Sequence, residues 1–142
     1  MSIALEEGIA FARDHKRGVL VTLRRDGRPQ LSNILYVVYE DSRIAISVTD
    51  SRAKTKNLRR DPRASLHVAS ADFWAYVVLE GSVELSVVAS DPADATVDSL
   101  VAMYRRANGE HPDWDEYRRA MVTEGRILAA FRPERCYGIP GR

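Results

Sequence analysis

Between Arg52 and Arg63 the sequence reads RAKTKNLRRDPR, with six cations, Arg52, Lys54, Lys56, Arg59, Arg60 and Arg63, against the single anion Asp61. A helix beginning near Ala53 puts Arg52, Lys54 and Lys56 at its positive end. Each cation there costs about 0.3–1 kcal/mol unless an anion sits nearby. The free backbone N–H groups of that end already favour an anion, and Ser51 and Thr55 add hydroxyl donors. This arrangement suits a phosphate cradle. A solvated basic helix is the competing reading.

Two other groups are polar or aromatic enough to touch a ligand. In GRPQLSN, Gln30 and Ser32 share one strand face by the period of two, with Asn33 beside them. Such a pair could hydrogen-bond the edge of a heterocycle, or line a solvent face. Trp74 and Tyr76 share a face of a later strand, where aromatic rings stack on a ligand or fill core. Tyr76 reads as core; for Trp74 both readings stand.

The usual catalytic constellations are missing. His15, His67 and His111 are far apart in sequence. His67, inside an apolar strand, reads as a hydrogen-bonded core imidazole, and His111, before Pro112, as a turn residue. One cysteine, Cys136, permits neither zinc spacing nor an internal disulfide. There is no P-loop, no G-x-G-x-x-G and no G-x-S-x-G. No catalytic side chain and no metal site are assigned, and an enzyme built from these parts needs a cofactor to carry the reactive atom.

The elements that must position these residues follow from pattern. Ser2 is placed to cap a helix with Glu6 and Glu7 in its first turn and Leu5, Ile9 and Ala12 on one face. Two β-rich runs flank Asp26-Gly27, a strong hairpin signal. RIAISVT is a third strand, and the cationic helix then ends at Asp61-Pro62. RASLHVAS, FWAYVVLEG and SVELSVVAS read as three more strands. A longer helix opens with Asp91 as cap and Pro92 at its first position, and stops at Asn108-Gly109. HPDWDEYRRAMVTEG is another helix, and RILAAFRPERCYGI a last strand interrupted at Pro133. Consecutive strands with hairpin-length links predict an antiparallel sheet, and six or seven of them favour closure into a small barrel with peripheral helices, an α+β fold.

With 142 residues the chain suits one domain, residues 1–142, able to bury about two-thirds of its unfolded surface. A hydrophobic share of 45% excludes disorder. Lys plus Arg number 21 and Asp plus Glu 20, whereas a nucleic-acid binder carries a basic excess over a whole face. Here the positive charge is local, so the expected partner is a small anion and not nucleic acid. No apolar run approaches the ~20 residues of a membrane span. The start, MSIALEEGIAFARDHK, is acidic before it is basic, the reverse of a secretory signal. The expected location is the cytoplasm.

LRRDGRPQLSNILYVVYED, SRAKTKNLRRDPRASLHV, WAYVVLEGSVEL and GEHPDWDEYRRAMV resemble the pyridoxamine 5′-phosphate oxidase-like flavin and deazaflavin binders, which have an antiparallel split β-barrel. SVTDSRAKTKNL and GEHPDWDEYRRAMV resemble the actinobacterial branch that binds coenzyme F420, a deazaflavin with a phosphate and a polyglutamate tail. The resemblance implies a homodimer with cofactor sites at the interface. It implies that Arg52 and Lys54 grip the phosphate, with the Ala53 amide, Ser47 and Asn57 nearby. Gln30, Ser32 and Asn33 correspond to contacts at the ring end. Trp74 is similar to an aromatic lining the groove, and Tyr137 to one supplied by the partner chain. Family oxidases of vitamin B6 are longer and end in a basic segment not found after ERCYGIPGR, so that activity is not expected.

The implied activity is transfer of a hydride from reduced F420 to an electron-poor organic acceptor, with the proton coming from solvent or a hydroxyl such as Tyr36. The alternatives are an FMN-binding oxidase or reductase and a cofactor carrier without turnover.

Overall fold

The computed structural model describes residues 2–141. Strand β1 (Ser2–Ile3) leads into helix α1 (Leu5–Arg13), and β2 (Arg17–Leu23), β3 (Pro29–Leu35), β4 (Val37–Val38) and β5 (Ile44–Thr49) follow. Helix α2 (Ala53–Arg60) precedes β6 (Arg63–Ala69) and β7 (Tyr76–Leu85). Helices α3 (Ala95–Asn108) and α4 (Trp114–Thr123) then lead to the long final strand β8 (Arg126–Ile139).

The eight strands form one antiparallel sheet in the order β3-β2-β6-β7-β8-β5-β4, with β1 added to β8. The two ends of that path, β3 and β4, are consecutive in the chain and separated only by Tyr36. The sheet must therefore curl until its edges approach, which makes the split barrel expected from the sequence. Leu20, Ile44, Ile46, Leu66, Leu79 and Phe131 are fully buried inside it. A second cluster, Val97, Leu100, Val101 and Met121, packs α3 and α4 together beside Leu128. Ile127 and Ala129 belong to the barrel core while Leu128, between them, meets the helices, so the α3–α4 hairpin lies on the other face of β8.

Asp26-Gly27 turns the chain as predicted: Gly27 has φ +86° and the ladder runs from Leu23 opposite Pro29 to Arg17 opposite Leu35. Four expectations need correction. Ser2 does not cap α1, because its backbone pairs with Tyr137; Ala4 occupies the cap position, and no side chain caps the helix. The segments FWAYVVLEG and SVELSVVAS are not separate strands. Gly81 sits within the continuous β7 at a register shift opposite Pro133, where a Cβ would overlap the Arg132 carbonyl. The same irregularity lets β8 run through Pro133 without interruption. Finally, α3 is capped by Asp94 and not by Asp91. The Asp94 carboxylate accepts from the backbone N–H of Val97 at 2.8 Å, Ser90 at 2.9 Å and Asp91 at 3.1 Å, and those bonds hold its pKa below the usual range.

Among the described residues no helix is long and apolar enough to cross a membrane.

Candidate functional site

Helix α2 sorts the six cations into two sets. Arg59 pairs with Asp50. Arg60 donates to the Leu23 carbonyl at 2.7 Å and to Asn57 Oδ1 at 3.0 Å, and Arg63 pairs with Asp61 at 2.8 Å. That pairing lowers the Asp61 pKa to about 2. Arg52, Lys54 and Lys56 make no ion pair among the described residues. The C-terminal half of the charge run is thus engaged within the fold, Arg59 and Arg63 by carboxylates and Arg60 by neutral acceptors, and the N-terminal half is left for something else.

That N-terminal half is also unprotected by the backbone. Arg52 occupies the cap position in extended conformation, no side chain caps the helix, and its first turn holds no acid. Thr55, in the first turn, donates its hydroxyl to the Thr49 carbonyl at 2.7 Å. Burial, then Arg52 and Arg126, push the Lys54 pKa below its ordinary value. The protein tolerates a cation where both desolvation and its neighbours oppose the charge, an arrangement that an anion would relieve.

The helix start opens onto a cleft of about 480 Å³ between β3–β5 and the α3–α4 hairpin. Asn33, Ser47, Arg52, Lys54 and Arg126 supply its polar lining, and Met103, Tyr104 and Tyr117 face them. Pairing of β5 with β8 sets Arg126 opposite Thr49, three residues before Arg52. Tyr104 and Tyr117 belong to a group of four rings with His111 and Trp114, centroids 5.0–5.7 Å apart. Burial pushes the Tyr117 hydroxyl up to about 12, and that hydroxyl donates to the Leu100 carbonyl at 3.2 Å.

The structure therefore brings Asn33, Ser47, Arg52 and Lys54 into one cleft, with Ala53 opening the helix beside them. Asn57 lies behind that surface, buried, donating to Thr22 Oγ1 at 3.1 Å. Gln30 and Ser32 hydrogen-bond each other at 3.2 Å, Gln30 also accepts from Thr22, and neither lines the cleft. Trp74 is 66% exposed in the β6–β7 loop, where its backbone N–H reaches Asp72. Tyr137 is on the outer face of β8.

Cross-strand register places Asn33, Val19, His67, Val78 and Tyr137 in one row on that face. Four strand spacings, about 19 Å, separate Asn33 from Tyr137. His67 is consequently not a core imidazole: it stacks on Tyr76 at 5.6 Å on the face away from the buried Leu66 and Val68. Tyr36, considered as a proton source, is buried and donates its hydroxyl to the Ala12 carbonyl at 2.6 Å, and burial raises its pKa. Arg126 and the tyrosines of the hairpin carry no local sequence signal for this site; only strand pairing and helix packing deliver them.

Several solved structures share this architecture. A conserved hypothetical protein from Mycobacterium tuberculosis superposes with TM-score 0.73 at 23% identity over 96% of this chain and 84% of its own. An F420 reductase matches with TM-score 0.62 at 23% identity, over 86% of this chain and 89% of its own. A heme binding protein from Mycobacterium smegmatis gives 0.67 at 22%, over 96% of this chain but only 53% of its own. At these identities the likeness is one of fold. The sequence profile of pyridoxamine 5′-phosphate oxidase matches residues 5–137 and so takes in both the curled sheet and the cleft. On that match the chain belongs to the pyridoxamine 5′-phosphate oxidase family.

Proposed function

We propose that the protein binds coenzyme F420 and passes a hydride from the reduced deazaflavin to an electron-poor organic acceptor. The observation that carries this reading is the unpaired Arg52 and Lys54 at the uncapped start of α2, facing a cleft with no Asp or Glu in its lining. These residues fit a phosphate: two cations, free N–H groups and the helix dipole converge on one place. Family membership supports oxidoreductase chemistry, and the likeness to an F420 reductase is in keeping with the deazaflavin.

When bound, the reduced cofactor supplies the hydride from ring carbon C5. The chain contributes binding, orientation and exclusion of water. Arg52 and Lys54 hold the phosphate, Asn33 and Ser47 offer hydrogen bonds along β3 and β5, and Met103, Tyr104 and Tyr117 close the opposite wall. Tyr36 and Tyr117 both commit their hydroxyl protons to carbonyls, so neither is free to supply the proton.

The active form in this reading is a homodimer. Leu31 and Leu35 are 60% and 66% exposed on the outer sheet face that also carries Tyr137 and Ile139. That apolar surface suits a partner, and only a second copy could bring a Tyr137 to the Asn33 cleft.

FMN is the second reading, since its phosphate suits the same cradle and the family profile is that of a pyridoxamine 5′-phosphate oxidase. Side-by-side titration of the purified protein with F420 and FMN tests the choice. Tighter F420 binding supports the proposal and tighter FMN binding overturns it.

A further inference from the structure

A second hollow adjoins the α2 cleft. Asn33, Ile34 and Leu35 line both the cleft and a space of about 530 Å³ at β2, β3 and β6. Val19, Ala69 and Phe73 give this space apolar walls, and no Asp or Glu lines it. Through His67, Ala69 and Phe73 it runs on into a further 270 Å³ or so beside Tyr76. Two polar side chains interrupt the apolar lining on the β2–β6 side, Arg17 and His67. Val19 pairs with His67, which sets Arg17, two residues back on the same face of β2, diagonal to the imidazole. Diagonal neighbours are about 7–8 Å apart, within reach of a long side chain.

Neither group is used by the fold. Among the described residues Arg17 has no ion pair, and neither its guanidinium nor the His67 nitrogens are hydrogen-bonded. The imidazole is nevertheless held in place, stacked on Tyr76 with 28° between the ring planes. The apolar wall opposite is held at a cost. Phe73 has φ +70°, a left-handed conformation that is a genuine outlier for a bulky residue, yet its ring is 78% exposed. The strain therefore secures no core contact. Polar bonds impose it: the Asp72 carboxylate accepts from the Ser70 hydroxyl at 2.7 Å and the Trp74 N–H at 3.1 Å. The Phe73 N–H itself donates to the Ser70 carbonyl at 2.9 Å. Backbone strain that the surroundings over-determine, without a packing gain, is a mark of a functional position.

We propose that this hollow receives the acceptor and selects a flat, apolar molecule bearing one carboxylate, with Arg17 and His67 holding the charge and Phe73 covering the body. The inference rests on the cofactor reading above for its orientation, and names the acceptor class. The α2 cradle offers two cations to a phosphate, whereas one guanidinium with one imidazole N–H suits a single carboxylate. A neutral acceptor would leave both unused. A second copy docked on the same sheet face would shut the hollow off from water, as hydride transfer requires.

The test uses the full chain without cofactor and two probes of one shape, trans-cinnamate and its neutral amide, cinnamamide. Titrations are followed by the backbone amide NMR shifts of Val19, Ala69 and Phe73. Exposed charge contacts are individually weak, so cinnamate should bind about threefold to fivefold more tightly than the amide. Arg17→Gln should abolish that preference, and His67→Phe, which keeps the ring without its nitrogens, should narrow it. Arg24→Gln, an exposed cation of the β2–β3 turn outside the hollow, should leave it unchanged. Phe73→Asn should weaken both probes and raise the melting temperature, because Asn tolerates the left-handed conformation. No binding of cinnamate, a preference that survives Arg17→Gln, or a lower melting temperature in Phe73→Asn overturns the proposal. Cofactor titration is a separate measurement: FMN binding in place of F420 overturns that reading and leaves the acceptor site standing, whereas F420 binding without cinnamate binding removes the acceptor site alone.

Discussion

Asn57, inside α2, donates its side-chain amide to Thr22 Oγ1 of β2 at 3.1 Å, across 35 residues of sequence. Both residues are buried, and Asn57 Oδ1 in turn accepts from Arg60. This pair holds the helix that presents Arg52 and Lys54, so it acts on the site from behind.

Asn57→Ala should therefore cost stability before it costs chemistry. Loss of a buried, satisfied polar pair is worth about 1–3 kcal/mol, and urea unfolding should register it. A loss under about 0.5 kcal/mol, close to a neutral surface change, would show that α2 is held by other contacts.

Arg52→Ala and Lys54→Ala should each weaken binding of the phosphate-bearing cofactor by about 1.5–3 kcal/mol, the worth of a hydrogen bond to a charged group. Arg60→Ala should barely affect binding, because that guanidinium is spent on Leu23 and Asn57. Calorimetric titration separates the cases. Equal losses at all three positions would mean a diffuse basic patch in place of a cradle.

Lys54 allows a prediction in the opposite direction. Its pKa in the folded protein lies below the unfolded value, through burial first and then Arg52 and Arg126. The folded state thus penalises the charged form. That penalty is fully present below the folded pKa and disappears as pH rises past the unfolded value. Lys54→Met should raise the melting temperature of the cofactor-free protein at pH 7, and the gain should shrink at alkaline pH. An unchanged or lower melting temperature at pH 7 would contradict the strain assigned to the cradle.

Much of this was readable in advance where the signal was local. The bounds of α2 follow from Asp61-Pro62 and the run before it, and the first hairpin from Asp26-Gly27. The misread features are non-local. Gly81 resembles a turn residue in sequence but is needed because β8 passes too close for a Cβ. Asp91 and Asp94 compete within SDPAD, and three convergent N–H groups decide for Asp94. In the cleft, Arg52 and Lys54 stood out because cations at a helix start are unfavourable. Arg126, Tyr104 and Tyr117 did not, because sheet register and helix packing bring them there.

The apolar outer face predicts association. The protein should sediment as a homodimer at micromolar concentration, burying on the order of 800 Å² per subunit. A stable monomer of 15.9 kDa would remove the shared-site arrangement.

The deazaflavin assignment itself is tested most directly by calorimetric titration with F420 and FMN at two salt concentrations. Screening acts over about 8 Å at physiological ionic strength, so exposed contacts to an acidic tail fade with salt before the phosphate contact does. F420 should bind more tightly than FMN at low salt, and the preference should narrow as salt rises. FMN binding as tightly as F420 at low salt would contradict the account and make this chain a flavin protein.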